Sequence, residues 1–282
     1  MPTGPVTHGK AWVEMVHRYL ATSVGVLILT LTLASWWARR KDVSINPWWP
    51  TFTLVWVCVQ GAFGALTVTM KLFPAIVTLH LIGGLVLLAL LCAQAVGFSN
   101  RRNVPIASTA RVGLGAACVL LAAQIVLGGW VSTNYAVLAC NTFPLCQGSW
   151  WPTMDFHQAF EIWRPLGRLQ DGSYLSFAAL TAIHYAHRLM AYAVLLVLAL
   201  VAWRLHRTLA TRRQANWLAG LTLLQFATGL SNVVLGWPLL AAVAHTGGAA
   251  ALVVTLTWAV CAQRAGRVVG LAVSPTRSRL SA

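Results

Sequence analysis

Seven apolar runs, each long enough to cross a lipid bilayer, constrain this chain more than any other feature of its sequence. A membrane-spanning helix needs about 20 consecutive apolar residues, and a lipid-embedded backbone must satisfy its own hydrogen bonds. The composition agrees, because 58% of the residues are hydrophobic and only 9% are charged. We therefore expect an all-α polytopic membrane protein. The predicted spans are residues 13–37, 51–70, 74–97, 110–133, 178–203, 214–236 and 239–262.

The basic residues orient these spans. A net charge of +15 could indicate a nucleic-acid partner. Most of the charge, however, lies in alternate loops, which face the same side of the membrane, as in the positive-inside pattern of cytoplasmic loops. We expect no nucleic acid, an outer N-terminus for this chain, an outer 134–177 loop and a cytoplasmic C-terminus. The cytoplasmic set is Arg39, Arg40, Lys41, Arg101, Arg102, Arg111, Arg204, Arg207, Arg212, Arg213, Arg264, Arg267, Arg277 and Arg279.

The two halves of the chain repeat one motif. Gln60 precedes His80 by twenty residues, and Gln225 precedes His245 by the same spacing, with a glycine four residues after each glutamine. Self-similarity of this kind indicates a duplicated unit. We expect two pseudo-symmetric helical bundles. Their predicted boundaries are 1–100, with three spans, and 101–282, with four spans.

Four histidines fall at one depth in these spans, toward the outer face. A histidine inside a bilayer is costly and usually has a partner. Two imidazoles on facing helices can supply both axial ligands of a heme iron. A lone histidine is more often a hydrogen-bonded packing residue, and this alternative stays open, but four repeated positions favour ligation. They are His17, His80, His187 and His245.

The residues beside these histidines allow two interpretations each. Paired glycines after two of them permit the close approach of either a flat macrocycle or another helix. Arg18 and Arg188 directly follow a histidine at the water interface, where a guanidinium can pair with heme propionates. The alternative is an interfacial anchor whose charge reaches water. The glycines are Gly83, Gly84, Gly247 and Gly248.

One acidic residue distinguishes the halves. Three residues before the histidine, the first half has Glu14 and the second has His184. Positions i and i+3 share a helix face, so Glu14 lies on the side of whatever His17 binds. This asymmetry predicts that one heme is a fixed cofactor and the other is the substrate. The alternative is a surface glutamate near a helix start.

Two cysteines, Cys140 and Cys146, lie in the predicted outer loop, whereas the other four lie in spans. An oxidising compartment permits a disulfide between them, and a reactive thiol pair is the competing interpretation.

Several motifs together resemble those of heme A synthases, over nearly the whole chain. The resemblance implies a similar architecture of two four-helix bundles, each able to hold a heme. The matching segments are Glu14-Met-Val-His17-Arg18, the run from Gln124 to Asn134, Cys140 through Pro152, Asp171-Gly172, and Ala182 through Arg188.

The resemblance implies roles for single residues. His187 and His245 would bind the iron of a heme b cofactor, with Arg188 as a propionate candidate. His17, His80 and Arg18 would bind the substrate, heme O, and Glu14 would be the catalytic acid. The implied reaction oxidises a heme O methyl group by successive hydroxylations to the formyl group of heme A. Cys140 and Cys146 match the family's cysteine pair.

The chain departs from that family in its number of spans. The family has eight, whereas this sequence predicts seven and lacks the first-half cysteine pair. We expect the upstream DNA to encode one more apolar span of roughly 20 residues. A natural seven-span variant, with its first heme pocket closed by a partner subunit, is the alternative.

Three classes of function remain open from the sequence. An oxidoreductase acting on heme needs the asymmetric Glu14, whereas a bis-histidine electron carrier needs only the four histidines. A heme transporter or chaperone needs labile ligation. The resemblance favours the enzyme, in the bacterial cytoplasmic membrane, with heme O synthase and an electron donor as candidate partners.

Overall fold

A computed structural model describes residues 8–99 and 106–264, and in these ranges the protein is α-helical without strands. Seven of the described helices are long and apolar enough to cross a membrane, which confirms the predicted all-α polytopic class. The largest boundary difference is at the sixth span, which begins five residues before the predicted 214, at Leu209. The helices are α1 (His8–Arg39), α2 (Trp48–Thr69), α3 (Pro74–Gly97), α4 (Ser108–Thr133), the short α5 (Phe156–Ala159), α6 (Phe177–His206), α7 (Arg212–Val234) and α8 (Leu239–Arg264).

Four of these helices, α4, α6, α7 and α8, form a closed bundle in which each helix packs against two neighbours. Helix α3 packs against α4 and α8 on the outside of this bundle and also pairs with α2. Helix α1 packs mainly against α2. The predicted division between residues 100 and 101 falls outside the described residues, as do Arg101, Arg102, Arg267, Arg277 and Arg279.

The largest cluster of buried apolar residues fills one half of the bundle's length. Its fully buried members come from the first half of α4, the last half of α6, the first half of α7 and the last half of α8. These segments lie at the end away from the long loop, residues 134–176, so we call the other end the loop end. The packed members include Leu114, Leu198, Leu218, Leu252 and Leu256, each at most 2% exposed.

The long loop is fastened to the end of α4 by buried polar contacts. Trp130 Nε1 donates to the carbonyl of Ala159 over 2.9 Å, and Arg164 Nη2 donates to Asn134 Oδ1 over 2.6 Å. The Arg164 side chain is fully buried and stacks on the Trp130 ring, and this burial lowers the pKa of its guanidinium. The loop is therefore a fixed cover over the loop end.

Candidate functional site

The loop-end half of the four-helix bundle contains a cavity of about 460 Å³. This volume lies in the range of about 300–1,000 Å³ that is typical of cofactor and ligand pockets. His187 on α6 and His245 on α8 both line the cavity, and their imidazoles lie close enough to interact electrostatically. The structure therefore brings the two predicted second-half ligands to one chamber.

Three of the four predicted histidines share one local arrangement. On the helix facing each of them, a glutamine side chain donates its amide N–H to the histidine's backbone carbonyl. Such a bond ties the two helices together at the level of the imidazole and satisfies a buried amide. The Nε2-to-carbonyl distances are 2.5 Å for Gln60 and His80, 3.2 Å for Gln124 and His187, and 2.8 Å for Gln225 and His245.

A glycine four residues after each glutamine makes room for the ring. A β-carbon built at Gly128 would lie 3.0 Å from Cε1 of His187, and one at Gly229 would lie 3.2 Å from Cε1 of His245. The first-half equivalent, Gly64, gives the same 3.2 Å to His80. The glycine thus lets the helix backbone approach the edge of the imidazole, and any side chain there must displace the ring.

We expect Gly128→Ala to reduce the amount of heme that copurifies with the protein, because its methyl group requires the His187 ring to shift by a few tenths of an ångström. A β-carbon at Gly115 on the same helix would meet nothing within 4 Å, so Gly115→Ala is the matched control. It should leave heme content unchanged and stabilise the helix by up to about 1 kcal/mol. Equal heme content in the two variants, measured per polypeptide, would contradict the packing role of Gly128.

The glycines after two of the histidines accommodate the glutamines. A β-carbon at Gly83 would overlap the Gln60 side chain, and one at Gly248 would overlap that of Gln225. Of the two interpretations of these glycines, the structure supports close packing between helices at both positions. By contrast, a β-carbon at Gly247 would have no described atom within 4 Å.

Several buried polar atoms around the cavity have no hydrogen-bond partner among the described residues. Such atoms are costly in an apolar bundle unless a ligand or water satisfies them. Together with two imidazoles and a chamber of this size, they fit a flat ligand that carries both a metal and polar substituents. The atoms are Gln124 Oε1, His187 Nδ1, Arg188 Nε and Asn232 Oδ1.

Arg188 connects the cavity wall to the cysteine loop. Its Nη1 donates to the carbonyl of Leu145 over 3.0 Å, and its Nη2 donates to the carbonyls of Cys140 and Thr142 over 3.1 and 2.8 Å. At 8% exposure the side chain is buried, so the interfacial-anchor alternative does not describe it. Contact between its remaining Nε–H and a propionate stays a prediction.

The predicted disulfide between Cys140 and Cys146 is confirmed, since the two sulfurs are bonded in the structure. Both residues are fully buried, and the backbone N–H of Cys140 donates to His184 Nδ1 over 3.4 Å. His184 therefore holds the disulfide loop, whereas its counterpart Glu14 has a different environment. The bridged loop also supplies Phe143 to the cavity wall.

Replacing both Cys140 and Cys146 with Ser should lower thermal stability, because the unfolded chain gains the entropy that the bridge removes. For a loop of this length the chain-entropy relation gives about 2 kcal/mol. A thermal melt of the detergent-purified protein measures this loss. Cys58→Ser, at an exposed thiol on α2, is the control. Alkylation of both loop cysteines in the wild-type protein without reductant would contradict the bridge.

The first-half residues form a more open group. Glu14 Oε1 accepts from Arg18 Nη2 over 2.6 Å, one helical turn away, and both side chains are more than half exposed. His17 is exposed on the same helix, and its ring lies close enough to His80 to interact electrostatically. The structure therefore groups Glu14, Arg18, His17 and His80 at the loop end of α1 and α3.

Two polar residues of the cavity region were not predicted from the sequence. Thr228 contacts the ring of His245, with 3.0 Å between its Oγ1 and Nδ1, and Asn232 lines the cavity one turn further along α7. The corresponding first-half positions are Phe63 and Thr67. Because the repeat does not conserve these residue types, no spacing in the sequence singles out either residue.

The family match and the similar proteins agree on one family. Residues 3–257 match the family COX15-CtaA, described as cytochrome oxidase assembly protein. A heme A synthase of Shewanella oneidensis is 38% identical over 259 residues, which cover 90% of this chain and 77% of that protein. A heme A synthase of Halalkalibacterium halodurans is 27% identical over 271 residues, covering 92% of this chain and 82% of that protein.

Proposed function

The chain belongs to the COX15-CtaA family of cytochrome oxidase assembly proteins, and we propose that it is a heme A synthase, an oxidoreductase that acts on heme O. The finer proposal is that it oxidises one methyl group of heme O to the formyl group of heme A. The observation that carries this proposal is the loop-end cavity lined by two histidines, inside a chain similar to heme A synthases over nine-tenths of its length.

We propose that the second bundle holds a resident heme b between His187 and His245. Support comes from the cavity volume, the two imidazoles on helices α6 and α8, and the glycines that let α4 and α7 approach them. The remaining Nε–H of Arg188 would contact a propionate at the loop end. A bound b-type heme supplies one-electron transfer.

The substrate site would lie in the first half. His17 and His80 would bind heme O, and Arg18 would reach its charged substituents while holding the Glu14 carboxylate. Glu14 would move a proton or stabilise positive charge that develops at the carbon being oxidised. The difference between Glu14 and His184 supports separate tasks for the halves, because the His184 ring accepts a hydrogen bond from the disulfide loop, whereas the Glu14 carboxylate pairs with Arg18.

The orientation in the membrane is part of the proposal. We place the loop end outside a bacterial cytoplasmic membrane and the C-terminus in the cytoplasm. The disulfide in the long loop supports this placement, because such bridges persist in oxidising compartments. A heme O synthase would supply the substrate, and an electron-transfer partner would exchange electrons with the resident heme.

Expression in a bacterial strain that makes heme O but has no heme A synthase of its own tests the proposal. Acid-extracted pigments would be separated and their masses measured. We expect a pigment with the mass of heme A in cells that express the chain and only heme O in cells with an empty vector. Heme O alone in both cultures, at confirmed expression of the protein, would contradict the function.

A further inference from the structure

The three histidines of the glutamine–glycine arrangement differ in what their rings contact. His245 Nδ1 lies 3.0 Å from the hydroxyl of Thr228, whereas His80 Nδ1 lies 3.4 Å from the Gln60 amide. His187 lies 3.3 Å from the Gln124 amide through its Nε2, whereas its Nδ1 is buried and has no partner among the described residues. Of these three rings, therefore, only that of His245 is held by a hydroxyl group.

The hydrogen bonds of Thr228 determine the direction of its contact with His245. Its Oγ1 lies 2.7 Å from the carbonyl of Leu224, one turn back on α7, and we assign its single proton to this shorter contact. With that assignment only lone pairs face the imidazole, and His245 Nδ1 is the donor. A neutral imidazole with its proton on Nδ1 keeps a lone pair on Nε2, which is the atom left to bind a metal.

The equivalent positions in the other two units carry no such group. Three residues after each glutamine, α2 has Phe63 and α4 has Leu127, where α7 has Thr228. An apolar side chain cannot accept the Nδ1 proton. Thr228 thus makes His245 different from His187, although both line the same cavity.

We propose that Thr228 is a positioning residue that fixes the tautomer and the ring orientation of His245, so that Nε2 points into the cavity as a ligand. This inference rests on the proposed function, in which His245 binds the resident heme. A hydrogen bond from the distal ring nitrogen also makes an imidazole a stronger donor to its metal. The bond to Thr228 should therefore stabilise the oxidised iron and keep the heme firmly bound.

Thr228→Val tests this role, with Thr222→Val as a closely matched control. Both threonines lie on α7, are 8% exposed and donate to the carbonyl four residues back over 2.7 Å. Thr222 differs from Thr228 in having no hydrogen bond to a histidine among the described residues. We expect Thr228→Val to weaken heme retention by about 10- to 100-fold, to change the low-spin electron paramagnetic resonance signal, and to raise the midpoint potential. Thr228→Ser should restore all three properties.

The outcomes separate this inference from the proposed function. If Thr228→Val changes the heme signal while Thr222→Val does not, the positioning role holds even when no heme A is formed. If the two variants have the same signal, potential and heme retention as the wild type, the role is overturned, whatever the activity. A wild-type protein that binds no heme in the second bundle would overturn both.

Discussion

His187→Ala and His245→Ala are each expected to abolish the low-spin b-type spectrum of the resident heme. Either substitution removes one of the two imidazoles that line the loop-end cavity, and an iron with a single strong ligand becomes high-spin or is lost. Absorbance and electron paramagnetic resonance spectra of the purified variants measure the change. Imidazole added to the buffer should partly restore the low-spin signal, since the alanine leaves space for it.

The control for this experiment is His157→Ala, at an exposed histidine of the long loop. It should have the wild-type spectrum. If both cavity variants also keep an unchanged spectrum, then neither His187 nor His245 ligates the resident heme, and the assignment of the cofactor to the second bundle is wrong.

Glu14→Ala is expected to retain the resident heme and the fold but to stop heme A production. Glu14 is more than half exposed on α1 and packs in no core, so its loss should cost little stability. The substitution should instead affect the reaction, because it removes a carboxylate next to the bound substrate. Pigment extraction followed by mass analysis should show accumulated heme O, while the spectrum of the resident heme stays unchanged.

Two further variants sharpen this prediction. Asp42→Ala removes another exposed carboxylate, in the turn after α1 at the other end of the bundle, and should leave heme A production intact. Glu14→Gln keeps the shape of the side chain but not its charge, and should be as inactive as Glu14→Ala. Full heme A production by Glu14→Ala would remove the carboxylate from the mechanism and favour an electron carrier.

The spans and two of the three glutamine–glycine–histidine units could be predicted from the sequence. Apolar length alone determines which segments cross a membrane, and duplication keeps the twenty-residue spacing from Gln60 to His80 and from Gln225 to His245. Both spacings could be recognised because each glutamine and its histidine lie on consecutive spans that a short turn connects. In such a hairpin, distance along the sequence reflects distance in space.

The third glutamine–glycine–histidine unit could not be predicted from a sequence spacing. Gln124 and His187 are 63 residues apart, with the whole outer loop between them, so their contact depends on how α4 packs against α6. The same holds for Arg188, which the sequence placed at a water interface. The folded loop instead covers it and accepts its hydrogen bonds. Contacts that depend on the path of a long loop have no periodic signal.

The most direct test of the account is to measure which hemes remain in two purified double variants, expressed where both heme b and heme O are made. His187→Ala/His245→Ala should lose heme b and keep heme O in the first half. His17→Ala/His80→Ala should keep heme b and lose heme O and heme A. Extraction and mass analysis, normalised per polypeptide, give both quantities. Loss of heme b from the first-half variant together with its retention in the second-half variant would contradict the assignment of cofactor and substrate to the two halves.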